Sequence, residues 1–303
     1  MEKGSDRFLV RFWGVRGSYP TSDMGTLHFG GHTSCVEVRA ADQRLIFDAG
    51  TGIIPLGKQV LKERHSRRRF HIFFSHTHHD HLLGFYFFEP LLRPDTEAFV
   101  FGPYSPRKTM VTTLKTVMDS EFFPIELDEV KARIKIYSLK GGESIRLGGN
   151  FHGPRLAGRR VTRSAQDEVV VFAHKSLAHP KNGVLLYRIE HRGKSVVYAT
   201  DIEERPGGYP EVIEFARGAD LLIHDAQYLR SEYFSRTDPR RGWGHSTLER
   251  AAEVARKARV QRLLLFHHEP SHDDRTVGEM ERLAQRLFPR SAAAYEGMKI
   301  ALL

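Results

Sequence analysis

Residues 75–81 read Ser75-His76-Thr77-His78-His79-Asp80-His81, and the reading of this stretch decides the fold. It follows Phe70-His71-Ile72-Phe73-Phe74, a short apolar run suited to a buried strand. It precedes Leu82-Leu83-Gly84-Phe85-Tyr86-Phe87-Phe88, apolar enough to begin a packed helix. The histidines therefore occupy a strand-to-helix turn, at the strand end where open α/β sheets place ligand sites. In extended chain, side chains two residues apart project to the same side, so His76 and His78 can grip one metal ion. Asp80 and His81 come after the chain has turned and are better placed for a second ion. Imidazole and carboxylate suit zinc, and also manganese or iron. The plain alternative, in a chain with 17 histidines, is a His-rich surface turn.

The pattern H-x-H-x-D-H at 76–81 resembles the signature of the metallo-β-lactamase superfamily, with His79 in a variable slot that binds nothing. The segments Phe12-Trp13-Gly14-Val15-Arg16-Gly17-Ser18, Gly30-Gly31-His32-Thr33-Ser34-Cys35 and Phe47-Asp48-Ala49-Gly50-Thr51-Gly52 resemble its phosphodiesterase and ribonuclease Z-like branch. The resemblance runs from Phe12 to Asp274, with the motifs in family order. It implies an α/β (α+β) fold, a four-layer αβ/βα sandwich of two mixed sheets.

The same resemblance supplies the remaining site residues. His179, in Leu177-Ala178-His179-Pro180, matches the third motif, with His174 as its competitor. Relatives usually continue with two glycines, where this chain has Lys181-Asn182-Gly183. Asp201 matches the fourth motif and His267 the fifth; His268 would point the other way. His76, His78 and His179 would then serve one ion, and Asp80, His81 and His267 the other. Asp201 would bridge them at the ~3.5–4 Å separation of two-metal hydrolases. Asp48 is expected to order the metal loop. Asp225, or its neighbour His224, would support the ligating histidines as a hydrogen-bond acceptor. His32, where related chains often carry Asn, either faces the metals or pins its loop, and the loop role is preferred.

Gly242-Trp243-Gly244-His245-Ser246-Thr247 leads into a helix whose buried stripe is Leu248, Ala251, Ala252, Ala255 and Ala258. Ser246 and Glu249 have capping-box spacing. His245 thus stands just ahead of a helix N-terminus, a position that favours an anion. The segment resembles the one carrying a general-acid histidine in tRNA 3′-end processing endonucleases. With Asp80 handling the proton of the nucleophile, the implied enzyme is a dinuclear metal-dependent phosphodiester hydrolase. A small cyclic phosphodiester, either a cyclic nucleotide or a ribose cyclic phosphate, is the preferred substrate. Two divalent ions, zinc first and manganese or iron next, are its cofactors. RNA 3′ processing is the first alternative. Amide or thioester hydrolysis is the second, though it leaves His245 without a task. A non-enzymatic metalloprotein that binds nucleic acid is the third.

Composition bounds these readings. The chain has 303 residues, 40% hydrophobic and 27% charged, which suits one globular metallo-hydrolase domain over 1–303. The net charge of +9 favours anionic partners, RNA among them. No apolar run approaches the ~18 residues of a membrane span, and the first residues lack a signal-peptide core. Cys35 is the single cysteine. A cytoplasmic protein is expected, without membrane partners and compatible with a homo-oligomer. Arg67-Arg68-Arg69 is read as a solvated face at the far end of the histidine strand. The segment 148–167, with Arg155, Arg159, Arg160 and Arg163, reads as a basic insertion, a surface loop in preference to an RNA-binding arm. Helices are expected over 53–64, 105–118 and 209–216, with a hairpin turning at Arg192-Gly193. Thr276 and Glu279 are expected to cap a closing helix, and 119–127 reads as a connecting loop or a lid.

Overall fold

The structure is a computed structural model that describes residues 8–63, 68–148, 152–158 and 168–303. The first half of the chain supplies strands β1 (Phe8–Gly14), β2 (Cys35–Ala40), β3 (Gln43–Phe47), β4 (Arg68–Phe73), β5 (Thr96–Pro103) and β6 (Arg133–Leu139). The second half supplies β7 (Ser144–Gly148), β8 (Arg155–Ala157), β9 (Glu168–Ser176), β10 (Val184–His191), β11 (Lys194–Ala199), β12 (Leu221–Asp225), β13 (Leu263–Phe266), β14 (Ser291–Ala293) and β15 (Lys299–Ala301). One sheet has seven strands in the order β15-β1-β2-β3-β4-β5-β6, and the other eight in the order β14-β13-β12-β11-β10-β9-β7-β8. Both sheets are mixed. In the first, pairing changes from antiparallel (β2–β3) to parallel (β3–β4) at β3. In the second, the same change falls at β11, antiparallel to β10 and parallel to β12.

The helices are α1 (Ile53–Lys62), α2 (His79–Leu82), α3 (Met110–Val117), α4 (Pro210–Ala216), α5 (Arg230–Tyr233), α6 (Leu248–Ala258) and α7 (Asp274–Leu287). The central strands are apolar on both faces because both faces are covered. Phe47, Phe73, Phe101, Tyr187, Tyr198 and Phe266 fill the space between the sheets. The outer face of the first sheet buries Ile46, Ile72 and Val100 under α1 and α3. That of the second buries Val197, Leu222 and Leu265 under α4, α6 and α7. The layering is helix, sheet, sheet, helix, the sandwich expected from the sequence. No helix of the described residues is long and apolar enough to cross a membrane.

Several local expectations change. The apolar run after the histidines is not one helix: α2 stops at Leu82 and a 3₁₀ turn covers Phe85–Phe87. Helix α3 begins at Met110 rather than near 105, where the Thr109 side chain accepts the Thr112 amide. Thr247, not Ser246, caps α6 by accepting the Arg250 amide, and Asp273, not Thr276, caps α7. In both places two candidate caps lie close together, and the residue whose extended backbone aims its oxygen at the third amide takes the role. Phe123 packs on Tyr86 and Phe87, which fastens the segment at 119–127 against the 3₁₀ turn. Arg68 and Arg69 pair with Asp95 and Glu97 rather than facing solvent unpaired. Within the basic insertion, Arg155–Ala157 forms the edge strand β8 on β7. Arg67, Arg159, Arg160 and Arg163 lie outside the described residues.

Phe73 stacks on Phe47 and Phe101, with centroids 5.1 and 4.6 Å away, and meets Tyr187 of the other sheet at 5.3 Å. Phe73→Ala should lower unfolding free energy by about 3–5 kcal/mol in urea denaturation, through lost burial plus the cavity left behind. Phe122→Ala, at a residue 73% exposed, should change it by no more than about 0.5 kcal/mol.

Candidate metal centre

The site forms where the C-terminal ends of β3, β4, β11 and β13 meet. Three residues that leave these strands have left-handed backbone: Asp48 at φ 59°, Asp201 at φ 56° and His267 at φ 64°. This conformation costs an L-residue about 1–2 kcal/mol, so packing must hold each one in place. The turn after β4 brings His76 and His78 to the same side before α2 starts at His79, as the two-residue spacing predicted. The loop after β1 is anchored by Arg16. Its buried guanidinium donates to the carbonyl oxygens of Gly30, Glu269 and His272. Gly17 and Ser18 are thereby pressed onto the site. A Cβ on Gly17 would lie 2.3 Å from the His267 ring, and the Ser18 amide donates to Asp80 Oδ2 at 2.8 Å.

Two four-residue donor groups result, and a third set, Asp225, His245 and His267, adjoins them. His76, His78, His179 and Asp201 form one; Asp80, His81, Asp201 and His267 form the other. Within each group the ligand atoms lie within 4.8 Å of one another. Asp201 belongs to both, its Oδ1 3.6 Å from His76 Nε2 and its Oδ2 3.3 Å from His81 Nε2. Nε2 of His81 and of His267 are 3.1 Å apart, and each is 3.1 Å from Asp80 Oδ2. His179 Nε2 faces His78 Nδ1 at 3.3 Å.

The opposite ring nitrogens are already committed. His76 Nδ1 meets Ser75 Oγ at 3.0 Å, His81 Nδ1 meets Asp48 Oδ2 at 2.8 Å, His179 Nδ1 meets the Gly244 carbonyl at 3.0 Å, and His267 Nδ1 meets Gln227 Oε1 at 2.9 Å. Anchoring one nitrogen and aiming the other inward is the usual support of metal-bound histidine. Buried His76 Nε2 has no hydrogen-bond partner among the described residues. A buried, unpaired acceptor surrounded by imidazole and carboxylate is a donor set that fits a divalent cation.

Burial opposes charge on all these groups, and the outcome differs by position. His81 and His267 overcome the desolvation of Asp80 and Asp201 and hold both carboxyls well below the usual range. Burial dominates at His76, His179 and His78, and lowers the last to about 4. At His245 burial is outweighed by Asp225, with Asp201 and Asp80 beyond, and the imidazole rises to about 9.

His245 lies beside the donor groups, its ring stacked 4.8 Å from that of His267 and edge-on to that of His179 at 5.6 Å. Asp225 serves His245 rather than the histidines of the two donor groups. It accepts from His245 Nδ1 at 2.8 Å and from the Ser246 amide at 2.9 Å, while His267 Nδ1 is 3.9 Å away. His224 turns back to the Asp225 carbonyl. Asp48 receives four hydrogen bonds, from Ser75 N, Ser75 Oγ, His81 Nδ1 and Tyr198 OH. His32 bonds Thr51 Oγ1 at 3.2 Å and Glu296 through its amide, which pins its loop. His174 is on β9, stacked on Phe215; His268 bonds the Ala294 carbonyl; His79 is exposed. Sequence reading missed Gln227, which has no motif of its own, and Arg16, whose motif gave no hint of burial.

In metal-free protein, His245 should titrate near pH 9 by NMR. Its folded pKa lies above the unfolded value near 6.5, so its contribution to stability is complete below pH 6.5. That contribution is lost as pH rises through about 9. In Asp225→Asn, burial is opposed only by the more distant Asp201 and Asp80, and the His245 midpoint should fall.

A family model described as "Beta-lactamase superfamily domain" matches residues 43–268. The ribonuclease Z of Gemmatimonas aurantiaca is 28% identical over 97% of this chain and 96% of its own. That of Thermoplasma acidophilum is 30% identical over 88% of each. Among solved structures, the metallo-beta-lactamase fold protein YhfI from Bacillus subtilis superposes with a TM-score of 0.67 at 18% identity, over 98% of this chain and 99% of its own. With a match across most of its length and the two-sheet architecture to go with it, this chain belongs to the β-lactamase superfamily, among its metal-dependent hydrolases.

Proposed function

We propose that the protein hydrolyses a phosphodiester with two divalent ions, zinc first, held by His76, His78 and His179 on one side and Asp80, His81 and His267 on the other, with Asp201 shared. The observation that carries this reading is the pair of donor groups meeting at Asp201 with a carboxylate-backed histidine, His245, alongside. Bound there, the ions would supply Lewis acidity to the phosphoryl oxygens and an attacking water acidified to a pKa of ~7.

The chain's own groups supply the proton transfers. Asp80, fixed by the Ser18 amide, orients the attacking water and relays its proton to solvent. A new P–O bond forms as the bond to the departing oxygen breaks. His245, kept protonated by Asp225, donates its proton to that oxygen. An alkoxide is a poor leaving group, so this step is one an alkyl phosphodiester needs and a thioester, which expels a stable thiolate, does not.

A small cyclic phosphodiester is the preferred substrate. The cavity beside His76, His78 and His179 has a volume of about 370 Å³, near the lower end of the ~300–1,000 Å³ range of small-ligand sites. RNA 3′ processing is the second reading, favoured by the ribonuclease Z names of relatives that match nearly end to end.

The test is one panel: metal content, then turnover of an aryl phosphodiester, cyclic nucleotides, ribose cyclic phosphate and precursor tRNA. His78→Ala should lose metal and all turnover, and chelation of the unmodified protein should do the same until zinc is restored. His245→Ala should keep its metal. It should lose about 10²–10⁴-fold on alkyl diesters and far less on aryl ones, which need no proton. Equal losses on both would remove His245 from the proton-donor role. Turnover of precursor tRNA alone would select the second reading.

A further inference from the structure

The cavity that opens onto His76, His78 and His179 is built from two loops. One follows β5 and carries Arg107 and Lys108. The other follows β9 and carries Lys181, with Lys175 at the end of that strand. These four cations line it together with neutral residues, and no Asp or Glu is among the residues that line it. The basic depression at the opposite end of β4 differs. There Arg44, Arg68, Arg69 and Arg133 share the wall with Asp42, Asp95 and Glu97, and two of the arginines are ion-paired across it. Like charges gathered without a counter-charge repel one another and destabilise the fold slightly. An anionic ligand removes that penalty.

The backbone adds a second sign. Lys181 sits two residues after His179 with φ 67°. Glycine adopts this region freely, and a lysine pays to enter it. Lys181 thus takes a strained backbone in the turn that follows His179.

We propose that this groove is a phosphate subsite, holding a second phosphate of the substrate beyond the one undergoing hydrolysis, on the His76, His78 and His179 side of the centre. The inference rests on the phosphodiester reading for the class of ligand. It narrows the substrate to a diester bearing a further phosphate. A phosphorylated cyclic diester and a short nucleotide strand share this chemistry.

The experiment is calorimetric binding to the metal-loaded protein, with no turnover involved. Adenosine 3′,5′-bisphosphate is compared with adenosine 5′-monophosphate, and Lys175→Gln/Lys181→Gln is compared with the unmodified chain. The bisphosphate should bind about tenfold more tightly or better, as a charge-assisted contact of at least ~1.5 kcal/mol requires. The advantage should shrink with added salt and vanish in the double variant. Arg107→Ala/Lys108→Ala should reduce it independently. Equal affinity for the two nucleotides, or an advantage that survives both double variants, overturns the proposal. A decathymidylate arm separates the sources: tight binding that depends on Lys175 and Lys181 selects a strand, and its absence beside an intact bisphosphate advantage selects the small ligand. Metal content of the variants and aryl diester turnover by the unmodified chain report on the hydrolase reading separately, so either can fail alone.

Discussion

A single buried carboxylate ties the two sheets to the histidine turn. Asp48 stands at the end of β3, yet its four hydrogen bonds come from the turn after β4, from α2 and from Tyr198 on β11 of the opposite sheet. A fully buried charge persists only if its lone pairs are satisfied. Each donor must therefore stay where it is, and together they fix the direction of His81 and the path of Ser75-His76. Left-handed backbone at Asp48 turns its side chain back under the loop. The geometry of the donor groups is a consequence of this arrangement, since the residue that makes it rigid touches His81 but belongs to neither group.

The two halves of the chain solve the same problem in the same way. In each sheet one strand separates antiparallel from parallel neighbours, β3 in the first and β11 in the second. Each of these strands ends in an aspartate with positive φ, Asp48 and Asp201. The ends of both strands meet at the site, Asp48 beside His81 and Asp201 between the two donor groups. One aspartate became a brace and the other a shared donor. The difference lies in what surrounds them: Tyr198 and Ser75 crowd Asp48, while Asp201 faces His76, His81 and His267.

Much of this was legible in the sequence, for identifiable reasons. Apolar runs ending in H-x-H-x-D-H carry both the strand and the turn, because burial and ligand spacing are encoded side by side. Asp201 is different: an aspartate at a strand end is most often a turn residue, and only its order after the other motifs marks it. Gln227 could not be read at all, since its role exists only once β12 and β13 are aligned and His267 Nδ1 comes within 2.9 Å. The caps of α6 and α7 were misplaced by one residue and by three, because adjacent Ser, Thr and Asp compete on geometry that sequence does not state. The short strands β7, β8, β14 and β15 also escaped notice. Their few residues become strands only through pairing with longer neighbours.

The cross-sheet contacts have a mechanical consequence. Tyr198 donates to Asp48, and Tyr187 donates to the Phe74 carbonyl, two residues before His76. These phenols act as struts of fixed length between the layers. His76, His78, Asp80 and His81 ride on one layer, and His179, Asp201 and His267 on the other. Sliding the layers by about 1 Å would unseat the close-packed rings of Phe47, Phe73 and Tyr187, and displacement on that scale can cost a reaction centre a hundredfold in rate. The donor groups thus act as a vernier for the whole sandwich, their spacing set by the same packing that keeps the layers in register.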